Sequence, residues 1–222
     1  MANLITIIRS LLVFVVITLL FTGKDSNIIY ISCFILTIMI VSMDGLDGYV
    51  ARKYNIASKF GAVLDIIGDR IVENIYWIAF LALGWIQLWI PVVVLTRGII
   101  VDGIRSVALE QGFTAFGKTT MMKSKMGKFL VSSNFSRGSY AAFKGIAFST
   151  IILANLPYWS ENLLIIKTIS TYLAYISVYI TIFFCIARGL PVIIEGKELF
   201  KESSKPDANL NPNLNKEAAT SN

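Results

Sequence analysis

The chain has 222 residues, of which 55% are hydrophobic and 15% charged, with a formal net charge of +6. Soluble domains carry about 25% charged residues, so long apolar runs at this composition exclude a water-soluble globule and place the chain in a membrane. No histidine is present, which removes imidazole bases, Ser-His triads and the commonest zinc ligand and leaves acid–base work to carboxylates.

Six apolar runs predict an all-α integral membrane protein of six helices. The first runs from about Leu4 to Phe21 and reads as a span, with no basic leader region or small-residue cleavage site around it. The second runs from Ile28 to about Asp47, the third from about Gly61 to Leu83 and the fourth from Leu88 to Leu109. The fifth covers Tyr140 to Leu153 with an earlier start, and the sixth spans Leu163 to Ala187. Residues 1–200 form one membrane domain, and the polar, Asn-rich stretch 201–222 reads as a disordered tail. Cys33 and Cys185 fall inside apolar runs and read as small buried hydrophobes.

Loop charges set the orientation. Arg52, Lys53 and Lys59 lie between the second and third runs. Lys118, Lys123, Lys125 and Lys128 lie between the fourth and fifth, and Arg188, Lys197 and Lys201 follow the sixth. The opposite loops carry Lys24 as their one basic residue. The positive-inside rule then puts both termini in the cytoplasm. The excess of basic residues serves the membrane surface, and no nucleic-acid partner is expected.

Against this background the segment DGLDGYVARKYNIASKFGAVLDIIGD stands out. It places Asp44, Asp47, Asp65 and Asp69 between two apolar runs. Asp44 and Asp47 are three apart and share one helix face; Asp65 and Asp69 are four apart and share another. A short turn between the helices makes the two faces converge. From Ile28 to Asp44 a helix climbs about 24 Å, so the acids lie at the cytoplasmic edge of the bilayer. Four carboxylates so close repel strongly unless cations sit among them. An oxygen-only set suits Mg²⁺ or Mn²⁺, with room for two ions, the usual device of phosphoryl chemistry. The bland alternative is that these acids only pair with arginines inside the bundle. Gly48, Ala51 and Gly61 would let a ligand approach closely, and Arg52 can meet a phosphate.

The pattern Asp44-x2-Asp47-Gly48-x2-Ala51-Arg52-x8-Gly61-x3-Asp65-x3-Asp69 resembles the signature of the CDP-alcohol phosphotransferase family, with every fixed position filled. The resemblance implies a six-helix membrane enzyme that displaces CMP from a CDP-linked lipid with an acceptor alcohol. It implies that Asp44, Asp47 and Asp65 ligate metal, with Asp69 a shared ligand or the general base. It also implies that Asp44, Gly48, Ala51, Arg52 and Gly61 shape the CDP site, and that the protein is a homodimer.

The acceptor must be read elsewhere. The segment RGIIVDGIRSVALEQGF, with MGK, FKGIAF and the opening NLITIIRS, resembles bacterial phosphatidylglycerophosphate synthases. That resemblance implies CDP-diacylglycerol as donor and sn-glycerol 3-phosphate as acceptor, in a bacterial-type cytoplasmic membrane. Inositol phosphate, inositol or serine are alternative acceptors, and an ion or proton transporter is a remote alternative. Candidates for a cationic acceptor pocket are Arg97, Arg105, Lys128, Arg137 and Lys144. Arg97 and Arg105 are eight apart, two turns on one face; the competing reading pairs them with Asp102 or another acid of the bundle. For Arg9, snorkelling to the interface competes with substrate contact. Asn134, Glu73 and Asn74 are polar residues able to orient ligands.

Overall fold

The computed structural model of the protein describes residues 2–53, 59–113 and 120–203; within these, the side chains of residues 2, 45–53, 59, 60, 62 and 198–203 stay outside the description. The described residues are helical with no strand. Six long helices appear: α1 (Ala2–Thr22), α2 (Asn27–Lys53), α3 (Lys59–Ala82), α4 (Trp89–Glu110), α5 (Asn134–Ala154) and α6 (Leu164–Ser203). Three stretches, Asn3–Thr22, Asn27–Asp44 and Glu161–Lys197, are long and apolar enough to cross a membrane. The helices α3, α4 and α5 carry most of the charged residues discussed below.

The ends follow local chemistry. Gly84, at φ +75°, turns the chain just past α3 in the left-handed region that glycine enters without strain. The Ser133 hydroxyl caps α5 by accepting from the Ser136 N–H at 3.1 Å, which is why this helix begins six residues before Tyr140. A single turn, Lys125–Gly127, and a π-helical turn, Lys128–Ser132, lead into it.

The largest departure from expectation is α6, which continues past Ala187 to Ser203 with Pro191 inside it. The sequence reading ended it at Ala187 and began the polar tail at Lys201, and Gly189 and Pro191 are themselves poor helix residues. Packing overrides both signals. Val192 is fully buried and Gly196 lies against Ile104 of α4, where a Cβ would come within 2.5 Å of Ile104 Cγ2. Contacts of this kind outweigh the one backbone hydrogen bond that proline removes. The rest of the tail, 204–222, lies outside the described residues.

Packing places α1 against α2 and α3, α2 against α5, α3 against α4, α4 against α6, and α5 against α6. The main core is aromatic at its centre. Tyr76, Trp77 and Phe80 of α3 meet Phe148 of α5, with ring centroids 4.7 to 5.9 Å apart. The Tyr76 and Thr37 hydroxyls, both buried, hydrogen-bond each other at 2.8 Å. Cys33 and Cys185 are buried free thiols, as expected. A second, smaller core of Val101, Ile104, Ala108, Met121, Met122, Val131 and Val192 underlies the loop end of the bundle. Outward, α6 presents Ile165, Ile169, Tyr172, Ile176 and Phe183, all exposed. An apolar face of this kind suits hydrocarbon and not water.

Candidate functional site

The expected convergence of α2 and α3 is present for three of the four aspartates. Ligand oxygens of Asp44, Asp65 and Asp69 lie within 4.8 Å of one another, and each residue is partly exposed. The Asp44 and Asp69 carboxyls also lie within hydrogen-bonding reach of each other. Asp47, Gly48, Ala51 and Arg52 sit on α2, but their side chains lie outside the described residues. Gly61 is in the first turn of α3.

Arg9 of α1 closes one side of the cluster. Its guanidinium Nη1 donates to Asp44, while Nη2 reaches Asp65 Oδ1 at 2.9 Å and Asp69 Oδ1 at 2.8 Å. At 2% exposure Arg9 does not snorkel to the interface. The reason is the three-fold anionic partner, which outbids the water a snorkelling side chain would reach. Its access depends on Gly68, where a Cβ would stand 2.6 Å from Thr6 Cγ2 and 3.6 Å from Arg9 Nη2. The sequence reading passed over Gly68; its one signal was a glycine beside Asp69 inside an apolar run.

Arginine pairing therefore occurs, but it leaves the cluster unbalanced. Among the described residues, three carboxylates face one guanidinium, a local excess of negative charge. Hard oxygen donors with that residual charge fit one divalent cation of the Mg²⁺ or Mn²⁺ type.

A second charged region lies between α3, α4, α5 and α6. Arg70, next to Asp69, holds Asp102 of α4 bidentately through Nε at 2.7 Å and Nη2 at 2.9 Å. Asp102 is thus held by Arg70, while it also lies within electrostatic reach of Arg105, as the competing reading of that arginine has it. Glu73, 2% exposed, accepts from the Tyr140 hydroxyl at 2.5 Å and from Arg70 Nη1 at 3.4 Å, and pairs with Lys144 Nζ at 3.6 Å. Lys144, expected at the acceptor phosphate, is therefore held by a buried carboxylate, with Asp69 and Asp44 also within electrostatic reach.

The remaining cations gather on the far side of Tyr140. Arg188 of α6 lies over the Tyr140 ring at 5.6 Å and donates to Ser136 Oγ at 3.3 Å. It is in electrostatic reach of Arg97 and Arg137, and Arg105 is in reach of Arg97 and Arg188. Arg97 runs along Gly189, where a Cβ would be 2.8 Å from its Nε. That buried Nε has no hydrogen-bond partner. Like charges brought together this way favour an anion among them. Arg188 had been read only as an orienting loop charge, because α6 was expected to end before it. Lys123, Lys125 and Lys128 are exposed, Asn134 is exposed at the start of α5, and Lys118 lies outside the described residues.

A family profile, CDP-alcohol phosphatidyltransferase, matches residues 1–187. The chain belongs to the CDP-alcohol phosphatidyltransferase family. With three helices apolar enough to cross a bilayer, this member of the family is a membrane protein. Among curated relatives, the CDP-diacylglycerol–glycerol-3-phosphate 3-phosphatidyltransferase of Bacillus subtilis is 25% identical over 170 residues, 77% of this chain and 76% of that protein. The protein of the same name from Mycoplasma pneumoniae is 36% identical over 77 residues, 35% of this chain and 34% of its own length. That from Rickettsia typhi is 29% identical over 126 residues, 57% of this chain and 66% of its own. The matched stretch thus runs from about a third to about three quarters of a relative's length.

Proposed function

We propose that this chain transfers the phosphatidyl group of CDP-diacylglycerol to sn-glycerol 3-phosphate, forming phosphatidylglycerophosphate and releasing CMP. The names of its relatives support the substrates. The observation that carries the chemistry is the pairing of an acidic cluster on α2 and α3 with a cluster of arginines on α4 and α6. One suits the metal-bound diphosphate of the donor; the other suits the phosphate of the acceptor.

In this reading Asp44, Asp47, Asp65 and Asp69 hold Mg²⁺ or Mn²⁺. Bound there, a divalent cation would offset the charge of the diphosphate and of departing CMP. Gly48, Ala51, Arg52 and Gly61 shape the nucleotide site. Arg97, Arg105 and Arg188, with Arg137 and Lys128 nearer the water, orient the phosphate of the acceptor. Its free hydroxyl oxygen attacks the phosphorus that bears the diacylglycerol. The bond from that phosphorus to the oxygen bridging to CMP breaks, and the hydroxyl proton passes to Asp69.

The six helices cross the bilayer with both termini in the cytoplasm, as the loop charges require. The acids then face a lipid headgroup arriving from the membrane and a soluble acceptor arriving from water. Residues 1–200 form the catalytic domain and the remainder is a tail. The test is CMP release by the purified chain from CDP-diacylglycerol with a panel of acceptor alcohols and added Mg²⁺ or Mn²⁺. Glycerol 3-phosphate should outpace inositol, inositol phosphate and serine. A faster rate with any of these reassigns the acceptor, and CMP release without divalent metal removes the acids from their role.

A further inference from the structure

Asp65, Asp69 and Glu73 follow one another at four-residue steps along one face of α3. The first two belong to the acidic cluster, but Glu73 is one turn deeper and almost fully buried. It is fixed from three sides. Tyr140 donates to one carboxylate oxygen at 2.5 Å; Arg70, itself anchored on Asp102, approaches the other at 3.4 Å; Lys144 stands 3.6 Å from the same oxygen. The Lys144 ammonium also lies over the Tyr140 ring at 5.5 Å.

The other anions near Lys144 are Asp69 and Asp44. A lysine is a point charge on a flexible four-carbon stem, and a buried ammonium without a partner costs several kcal/mol. Deprived of the Glu73 charge, Lys144 would turn to those two aspartates. Arg9 already occupies one side of them. A second monovalent cation beside these carboxylates would compete directly with a divalent ion.

We propose that Glu73 is a positioning residue that holds Lys144 off the Asp44–Asp65–Asp69 cluster and so reserves those carboxylates for a divalent cation. The role rests on the reading of that cluster as a metal site, and the experiment separates the two. The full-length chain, purified in detergent, is titrated with Mn²⁺ alone, and free Mn²⁺ is followed by its electron paramagnetic resonance signal. Glu73→Gln should weaken Mn²⁺ binding about tenfold. The double variant Glu73→Gln with Lys144→Met should recover wild-type affinity, because the competing cation is gone. A general loss of packing at Glu73 would not be mended by a second buried change. Should Glu73→Gln fail to fold, Lys144→Met alone carries the test and should bind Mn²⁺ at least as tightly as wild type. Wild-type affinity in Glu73→Gln, no recovery in the double variant, or weakened binding in Lys144→Met overturns the role of Glu73 and leaves the metal site standing. A wild-type chain that binds no Mn²⁺ overturns the metal site and this role with it.

Discussion

The two charged regions of the bundle are built on opposite principles. At the α1–α2–α3 end, acids from two helices converge on one arginine among the described residues. At the α4–α6 end, arginines gather while the nearest acids, Asp102 and Glu73, are already committed to Arg70, Tyr140 and Lys144. A fold optimised for stability alone would have neutralised each region with the other. Among the described residues the acidic and the arginine-rich groups stay on separate sides of the bundle, a polarity that suits the donor diphosphate and acceptor phosphate of the proposed reaction. Glu73 and Arg70 form the boundary between them.

Breaking the acidic half should produce the largest effect. Asp69→Asn keeps the shape but removes the proton acceptor, and should lower turnover about a thousandfold while nucleotide binding, followed by CMP titration, changes little. Unaltered turnover would strip Asp69 of that role. On the arginine half, Arg105→Ala should raise the apparent KM for glycerol 3-phosphate about tenfold, equivalent to about 1.4 kcal/mol, and leave that for CDP-diacylglycerol nearly unchanged. Equal shifts in both would mean that the two regions do not divide the substrates. The smallest effect concerns the scaffold. In Gly68→Ala the new methyl meets buried Thr6 at 2.6 Å. Overpacking costs about 1–3 kcal/mol, against a helix-propensity gain of about 1 kcal/mol. The net loss, about 1 kcal/mol, should lower the melting temperature in detergent; an unchanged or higher value would contradict the close approach of α1.

Much of this was legible in the sequence because helical spacing is local information. Asp65 and Asp69 had to share a face once α3 formed, and Asp44 meets them where α2 and α3 both pack on α1. The helix count and the burial of Cys33 and Cys185 followed from apolar runs in the same way. What stayed hidden were contacts across helices distant in sequence. Arg9 reaches Asp65 across 56 residues, and Tyr140 reaches Glu73 across 67. No periodicity announces such pairs. Arg188 was hidden for a different reason: Gly189 and Pro191 mark a helix end by local rules, yet the continuing helix packs on α4 and carries Arg188 into the bundle. Lys144 lay on the right helix, but its partner Glu73 looked like one polar residue among many.

The arginine of the first helix has a consequence for biogenesis. Arg9 leaves the ribosome 35 residues before Asp44 and 56 before Asp65. An arginine in an inserting apolar segment carries a cost that reaches about 2.5–3.5 kcal/mol at the bilayer centre and is smaller near the edge, where Arg9 lies early in its helix. The first helix therefore enters the bilayer in debt to helices not yet made, and its charge is matched only when the second and third arrive. A chain truncated after its first helix should therefore be extracted from the membrane more readily than one carried through to the third.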